Sequence, residues 1–245
     1  MNQTITTIKN HRSIRQYKNK DIEPKDLNLI LEAAHAMPTS IHGQQVSIVV
    51  VKDEDKRNKI SDLAGGQPWI AAAPVFLVFV MDMNKTAQAG NKNNIPQIIH
   101  ESAEGVLVSS FDAGIAMGAA IVAAESLGLG IVPIGGIRKN PQEMIDLLEL
   151  PKNTFPIAGL VIGHPENLSA KKPRLSIESF AHSEKYNNEL VTKAIDDFDK
   201  EMEIYYEKRG DKSSNWSAQI AGSYKQVYFP NVYPVLKSQG FILDK

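Results

Sequence analysis

His11-Arg12-Ser13-Ile14-Arg15 puts two guanidinium groups, an imidazole and a hydroxyl on one short stretch of chain. The planar donor fork of arginine matches a phosphate bidentately, and a neighbouring serine hydroxyl adds a further donor. Far down the chain Lys171-Lys172-Pro173-Arg174-Leu175 repeats the theme. Either stretch alone reads better as a solvated basic turn. Two of them, brought together by the fold, would grip one phosphate-bearing ligand.

The familiar catalytic signatures do not fit. Gly128-Leu129-Gly130 meets Pro133 where the dinucleotide fingerprint needs its third glycine. The sequence has no P-loop and no nucleophile elbow, and His100-Glu101 lacks the second histidine of a zincin helix. The 6 histidines show no metal-ligand spacing, so no metal is expected. The chain contains no cysteine, which excludes disulfides, thiolate zinc sites and cysteine-ligated clusters. What remains is a site of cations and hydroxyls without its own acid–base machinery. That suits a cofactor which carries the chemistry and needs only holding and electrostatics.

The elements that must position these residues follow from composition and periodicity. At 245 residues, 42% hydrophobic and 22% charged, the chain has an ordinary globular composition and can bury a sizeable core. Lys plus Arg number 27 against 28 for Asp plus Glu, so neither nucleic acid nor an anionic membrane is expected as the main partner. No secretory leader and no apolar run of spanning length is read, and a cytoplasmic protein is expected.

Glu23-Pro24 opens a helix carrying Leu27, Ile30, Leu31 and Ala34, and Thr39 to Gly43 reads as a polar loop. Ser47 to Val51 reads as a buried strand. Asp53 caps a helix through Ile60 and Leu63, closed by Gly65-Gly66, with a turn at Gln67-Pro68-Trp69. Val75 to Met81 is apolar throughout and predicts a central strand covered on both faces. Thr86 to Asn94 reads as a flexible loop. A long helix rich in alanine and glycine is predicted from Ile98 to Leu127, central to the molecule or to a dimer, and stopped by Gly128. A strand at 131–134, a helix from Pro141 to Leu148 and a strand from Ile157 to Gly163 come next. Beyond a loop at 167–182, a charged helix from about Leu190 to Lys208 and an aromatic tail follow. One domain over 1–245 is expected, with a C-terminal excursion from about 185 to 245.

In this order the residues resemble the FMN-dependent nitroreductases, specifically the oxygen-insensitive NADPH nitroreductase and NADPH flavin reductase subgroup. The likeness runs through His11-Arg12-Ser13-Ile14-Arg15, Ala64-Gly65-Gly66-Gln67-Pro68, Ala123 to Gly130 and Ile134-Gly135-Gly136-Ile137-Arg138. It continues in Gly163-His164-Pro165, Lys172-Pro173-Arg174-Leu175, and Tyr205-Tyr206 with Arg209-Gly210 and Trp216-Ser217. The relatives' serine-rich run is replaced by Met37-Pro38-Thr39-Ser40-Ile41.

The resemblance implies an α+β fold, a mainly antiparallel sheet flanked by helices, in an intertwined homodimer with FMN at the subunit interface. It assigns His11, Arg12, Lys172 and Arg174 to the FMN phosphate and Ser13 to ribityl or phosphate oxygens. Arg15 and Gln67 are assigned to the pyrimidine edge, and Thr39 and Ser40 reach over from the partner. The Ile134-Gly135-Gly136 backbone faces flavin N5 and O4. Arg138, Arg209 and Lys212 are the candidates for NAD(P)H, with a modest NADPH preference because Asp211 opposes a phosphate. The implied activity is a two-step reduction of flat acceptors (nitroaromatics, quinones, azo compounds or free flavin) by NADPH or NADH. No catalytic side chain is required, since FMN carries the chemistry. The alternatives are a non-catalytic FMN-binding, storage or sensing protein and a grip on some other phosphate ligand.

Overall fold

The computed structural model describes residues 2–210 and 215–244. In chain order the elements are α1 (Gln3–Lys9), α2 (Pro24–His35), β1 (Val46–Val51), α3 (Glu54–Leu63), α4 (Pro68–Ala72), β2 (Val75–Asp82) and α5 (Met83–Lys92). Then come α6 (Ala103–Ser126), β3 (Gly130–Ile134), α7 (Pro141–Leu147), β4 (Thr154–Gly163), α8 (Asn188–Lys208), α9 (Trp216–Tyr224) and α10 (Val232–Ser238). The strands form one antiparallel sheet in the order β1-β2-β4-β3. The class is α+β, as the resemblance implies.

β2 is central and buried along its whole length. Successive side chains on a strand point to opposite faces. Phe76, Val78 and Val80 therefore enter one core with Ile60, Ile70 and Met144 from α3, α4 and α7. Val75, Leu77 and Phe79 enter a second core with Ile30, Ala116 and Ala120 from α2 and α6. Helices on both faces explain an unbroken apolar run in an antiparallel sheet. β1 lies at one edge and is only half-buried, not buried as its composition suggests.

Several local readings are corrected. Gln67-Pro68-Trp69 is not a turn: Pro68 takes the first position of α4, where its missing N–H costs nothing. Thr86 to Asn94 is largely the helix α5, because Asp82 at the end of β2 also accepts from the Lys85 amide at 3.2 Å as its N-cap. α6 starts at Ala103 rather than near 98, since Ser102 caps it through the Gly105 amide at 3.2 Å and Ile99–Glu101 forms a separate 3₁₀ turn. Gly128 does stop it, at φ 75°.

By length and composition α6 is also the one helix among the described residues apolar enough to cross a membrane, contrary to the expectation of no such run. Its many alanines and glycines make it so. Here it packs on the sheet, with Ala116, Ala120 and Ala124 covered and Asp112 buried.

The chain divides into two compact units. The larger comprises residues up to Ser169 together with those from Phe229 onward; the smaller is Ala170–Tyr228. Leu236 and Phe241 near the C-terminus are buried with Met81, Met83, Ile145 and Phe155 of the larger unit. The smaller unit has its own apolar cluster of Phe198, Met202 and Tyr206.

Candidate functional site

The His11–Arg15 segment is laced along the open edge of β3. The Ile14 amide donates to Ile131 O at 2.8 Å, Ser13 bridges Ile131 in parallel, and Tyr17 bridges Pro165 just past β4. Ile14 and Tyr17 point inward, and the Tyr17 hydroxyl donates to Ile14 O at 2.7 Å. Burial pushes the Tyr17 phenol well above its ordinary range, with Arg15 acting weakly the other way, so this tyrosine is a structural donor. Gly130 permits the close approach: a Cβ there would lie 2.8 Å from the Ile14 side chain. With Ile14 pinned, His11, Arg12 and Ser13 are held part-buried and Arg15 is exposed.

His11 Nδ1 lies 2.7 Å from Glu125 Oε1 in the last turn of α6. A carboxylate only accepts, so Nδ1 carries the proton. Among the described residues, Arg12 Nε and Glu125 Oε2 are both buried without a hydrogen-bond partner. Arg12 and Glu125 share a cavity of about 490 Å³, also lined by Asn10, Thr6, Gly130 and Leu168. Ser13 turns its carbonyl to Ser169 Oγ at 2.9 Å. The Arg12 guanidinium, part-buried beside that cavity, fits an anionic ligand. A phosphate group meets that requirement.

At the other end of β3 the strand runs through Ile134 into the Gly135–Arg138 turn. Gln67 Nε2 donates to Ala64 O at 2.9 Å and packs against Gly136, where a Cβ would lie 2.5 Å from Ala64 O. Only glycine leaves room there. Arg15 stacks on Trp69 of α4, its guanidinium carbon 5.4 Å from the ring centroid. The fold thus groups Arg15 with α4, whose cap is Gln67, and Gln67 with Gly136. Arg138 turns inward to donate to Ile157 O.

Thr39 and Ser40 lie elsewhere. The Ser40 amide donates to Asp112 Oδ2 at 3.1 Å, and Gln45 Nε2 donates to the same oxygen at 2.6 Å. Thr39 Oγ1 accepts from the Gln44 amide at 3.0 Å. From Asp112 to Glu125 a helix rises roughly 20 Å, at about 1.5 Å per residue. Within one chain, Ser40 is not brought to His11. Next after Ser40 in the loop, Ile41 is 98% exposed and holds the left-handed backbone at φ 47°.

In the smaller unit Lys172 Nζ sits 5.8 Å from the centroid of Tyr206, and Arg174 Nη1 donates to Lys172 O and Pro173 O at 3.2 Å. Arg209 stacks on Tyr205 at 5.6 Å. Lys212 and Asp211 lie outside the described residues.

Sequence reasoning missed two residues of the site, Glu125 and Trp69. Glu125 had a signal: an acid in the last turn of an apolar helix opposes the helix dipole, which favours cations there. Trp69 had only its place after Gln67-Pro68.

Residues 8–164 match the nitroreductase family and residues 172–244 match the family's C-terminal domain. The FMN reductase [NAD(P)H] of Bacillus subtilis (strain 168) is 48% identical over the full length of both chains. The NADPH-flavin oxidoreductase of Vibrio harveyi is 36% identical, covering 98% of each chain. The solved structure of B. megaterium NfrA2 superposes with a TM-score of 0.98 at 47% identity, covering 100% of each chain. With both the His11–Arg15 segment and the Gln67–Gly136 contact inside the matched region, the chain belongs to the nitroreductase family.

Proposed function

We propose that the chain is an FMN-dependent NAD(P)H oxidoreductase that reduces flat aromatic acceptors such as nitroaromatics, quinones, azo compounds or free flavin. The observation that carries the reading is the grouping along β3: the part-buried Arg12 guanidinium beside its cavity at one end, and Arg15, Gln67 and Gly136 at the other. The names of the relatives point the same way.

In this reading His11, Arg12 and Ser13 hold the phosphate and the ribityl chain, with Lys172 and Arg174 keeping the phosphate role that the resemblance gives them. Arg15 and Gln67 face the pyrimidine edge, where a cation favours negative charge on the ring by Coulomb attraction in a partly dry site. The Ile134-Gly135-Gly136 backbone approaches the ring closely because two of its residues carry no Cβ. Bound FMN would accept a hydride from NAD(P)H and pass electrons to the acceptor. Arg138, Arg209 and Lys212 are the cations proposed for the nicotinamide nucleotide. The setting is cytoplasmic. Purified protein should be yellow and bleach on anaerobic addition of NADPH. Yellow protein that does not bleach would mean FMN storage or sensing, and colourless protein would mean another phosphate ligand.

The same reading requires a homodimer. Ser40 is held at Asp112 near the middle of α6 and His11 at Glu125 in its last turn, so Thr39 and Ser40 reach a flavin only from a second copy. Phe111 is 68% exposed on α6, and a Cβ at Gly114 or Gly118 would meet nothing within 4 Å, which leaves this face open for close packing. The expected mass in solution is that of two chains. A monomer with full flavin occupancy would remove Thr39 and Ser40 from the site.

A further inference from the structure

Glu125 stands where a phosphate site would least be expected to keep a carboxylate. It lies in the last turn of α6, where the helix dipole is already negative and the turn itself holds no basic residue. It lines the same cavity as Arg12, where its charge would repel an incoming dianion. Two features nevertheless tie it to the cations. Its Oε1 fixes His11 through Nδ1 at 2.7 Å, which turns Nε2 away from the carboxylate. Its Oε2, a buried acceptor, and Arg12 Nε, a buried donor, are both unpaired. Unpaired buried groups of opposite sign are costly to leave apart.

We propose that Glu125 is the positioning residue of the phosphate grip, ordering His11 through Oε1 and Arg12 through Oε2. The inference rests on the FMN reading given above. When an anion binds the outer end of the Arg12 guanidinium, Nε closes on Oε2, so the carboxylate turns both cations toward the phosphate. Its ordering of the donors outweighs its repulsion of the ligand. Glu125 touches no part of the flavin and acts only through His11 and Arg12.

The test is the affinity of apoprotein for FMN and for riboflavin, which lacks the phosphate, read by flavin fluorescence quenching. Glu125→Gln keeps an acceptor for His11 but can present an N–H to Arg12 Nε, so FMN should bind about tenfold more weakly while riboflavin binding is unchanged. In an Arg12→Ala background the further loss should largely vanish, as coupling through Arg12 requires. Glu125→Asp, which keeps the charge but withdraws it by a methylene, should also weaken FMN selectively and serves if the glutamine variant does not fold. Unchanged or tighter FMN binding in Glu125→Gln, or unchanged binding in Glu125→Asp, would overturn the proposal, because charge alone would then decide. Equal losses for FMN and riboflavin would also overturn it, as a general disturbance of the fold. If wild-type protein does not prefer FMN to riboflavin, the phosphate grip itself is wrong and the proposal falls with it, an outcome visible before any variant is made.

Discussion

His11 and Arg12 on one side, and Lys172 and Arg174 on the other, carry the same charge in different settings. The first pair is part-buried and backed by Glu125, and its segment is sewn to β3 and to the residues after β4. The second pair is exposed, with Lys172 over a tyrosine ring and Arg174 folded onto its own backbone carbonyls. Preorganised donors lose little freedom when an anion arrives, and buried charge is poorly screened. Exposed cations must first be ordered and are weakened by salt. The first cluster offers ordered, poorly screened cations and the second offers exposed ones.

The largest effect that would sharpen this contrast is expected from Arg12. Hydrogen bonds to a charged group are worth roughly 1.5–3 kcal/mol each, so if Arg12 holds the phosphate as proposed, Arg12→Ala should weaken FMN binding by tenfold or more on titration of apoprotein. The loss should change little between low and high salt. Arg174→Ala should also cost about tenfold at low salt, and distinctly less at high salt. Equal salt dependence for the two variants would break the comparison. If Arg174→Ala keeps full affinity at every ionic strength, its segment is only a solvated loop.

The smallest effect is expected at the nicotinamide. Arg209 stacks on Tyr205 at the end of α8. An exposed ion pair contributes about 0–1 kcal/mol, so Arg209→Ala should lower the NADPH to NADH ratio of kcat/KM by only a modest factor, and less so in high salt. An unmoved ratio would mean that Arg209 does not read the 2′-phosphate.

Much of the scaffold was legible in local chemistry. Val75 to Met81 announced a covered central strand because every position is apolar. Asp53 and Gly128 announced helix ends because cap geometry depends on a few adjacent residues. α5 was misread because its start signal, Asp82, belongs to a strand, and its asparagines, threonine and glycine are weak helix formers that read as loop. The cations at 11, 12 and 15 were legible as phosphate-suited by type alone.

Their setting was not. The partner of His11 is Glu125, and that pairing exists only because α6 ends beside the segment laid along β3. That Arg15 stacks on Trp69, or that Ser40 hangs on Asp112 near the middle of the same helix, leaves no trace in local sequence either. Residue type and near-neighbour spacing determine which groups can do chemistry and which segments become helix or strand. Which charges are buried, paired or left with an unmet donor is decided by contacts between segments far apart in the chain, and these form only when the sheet and its covering helices pack.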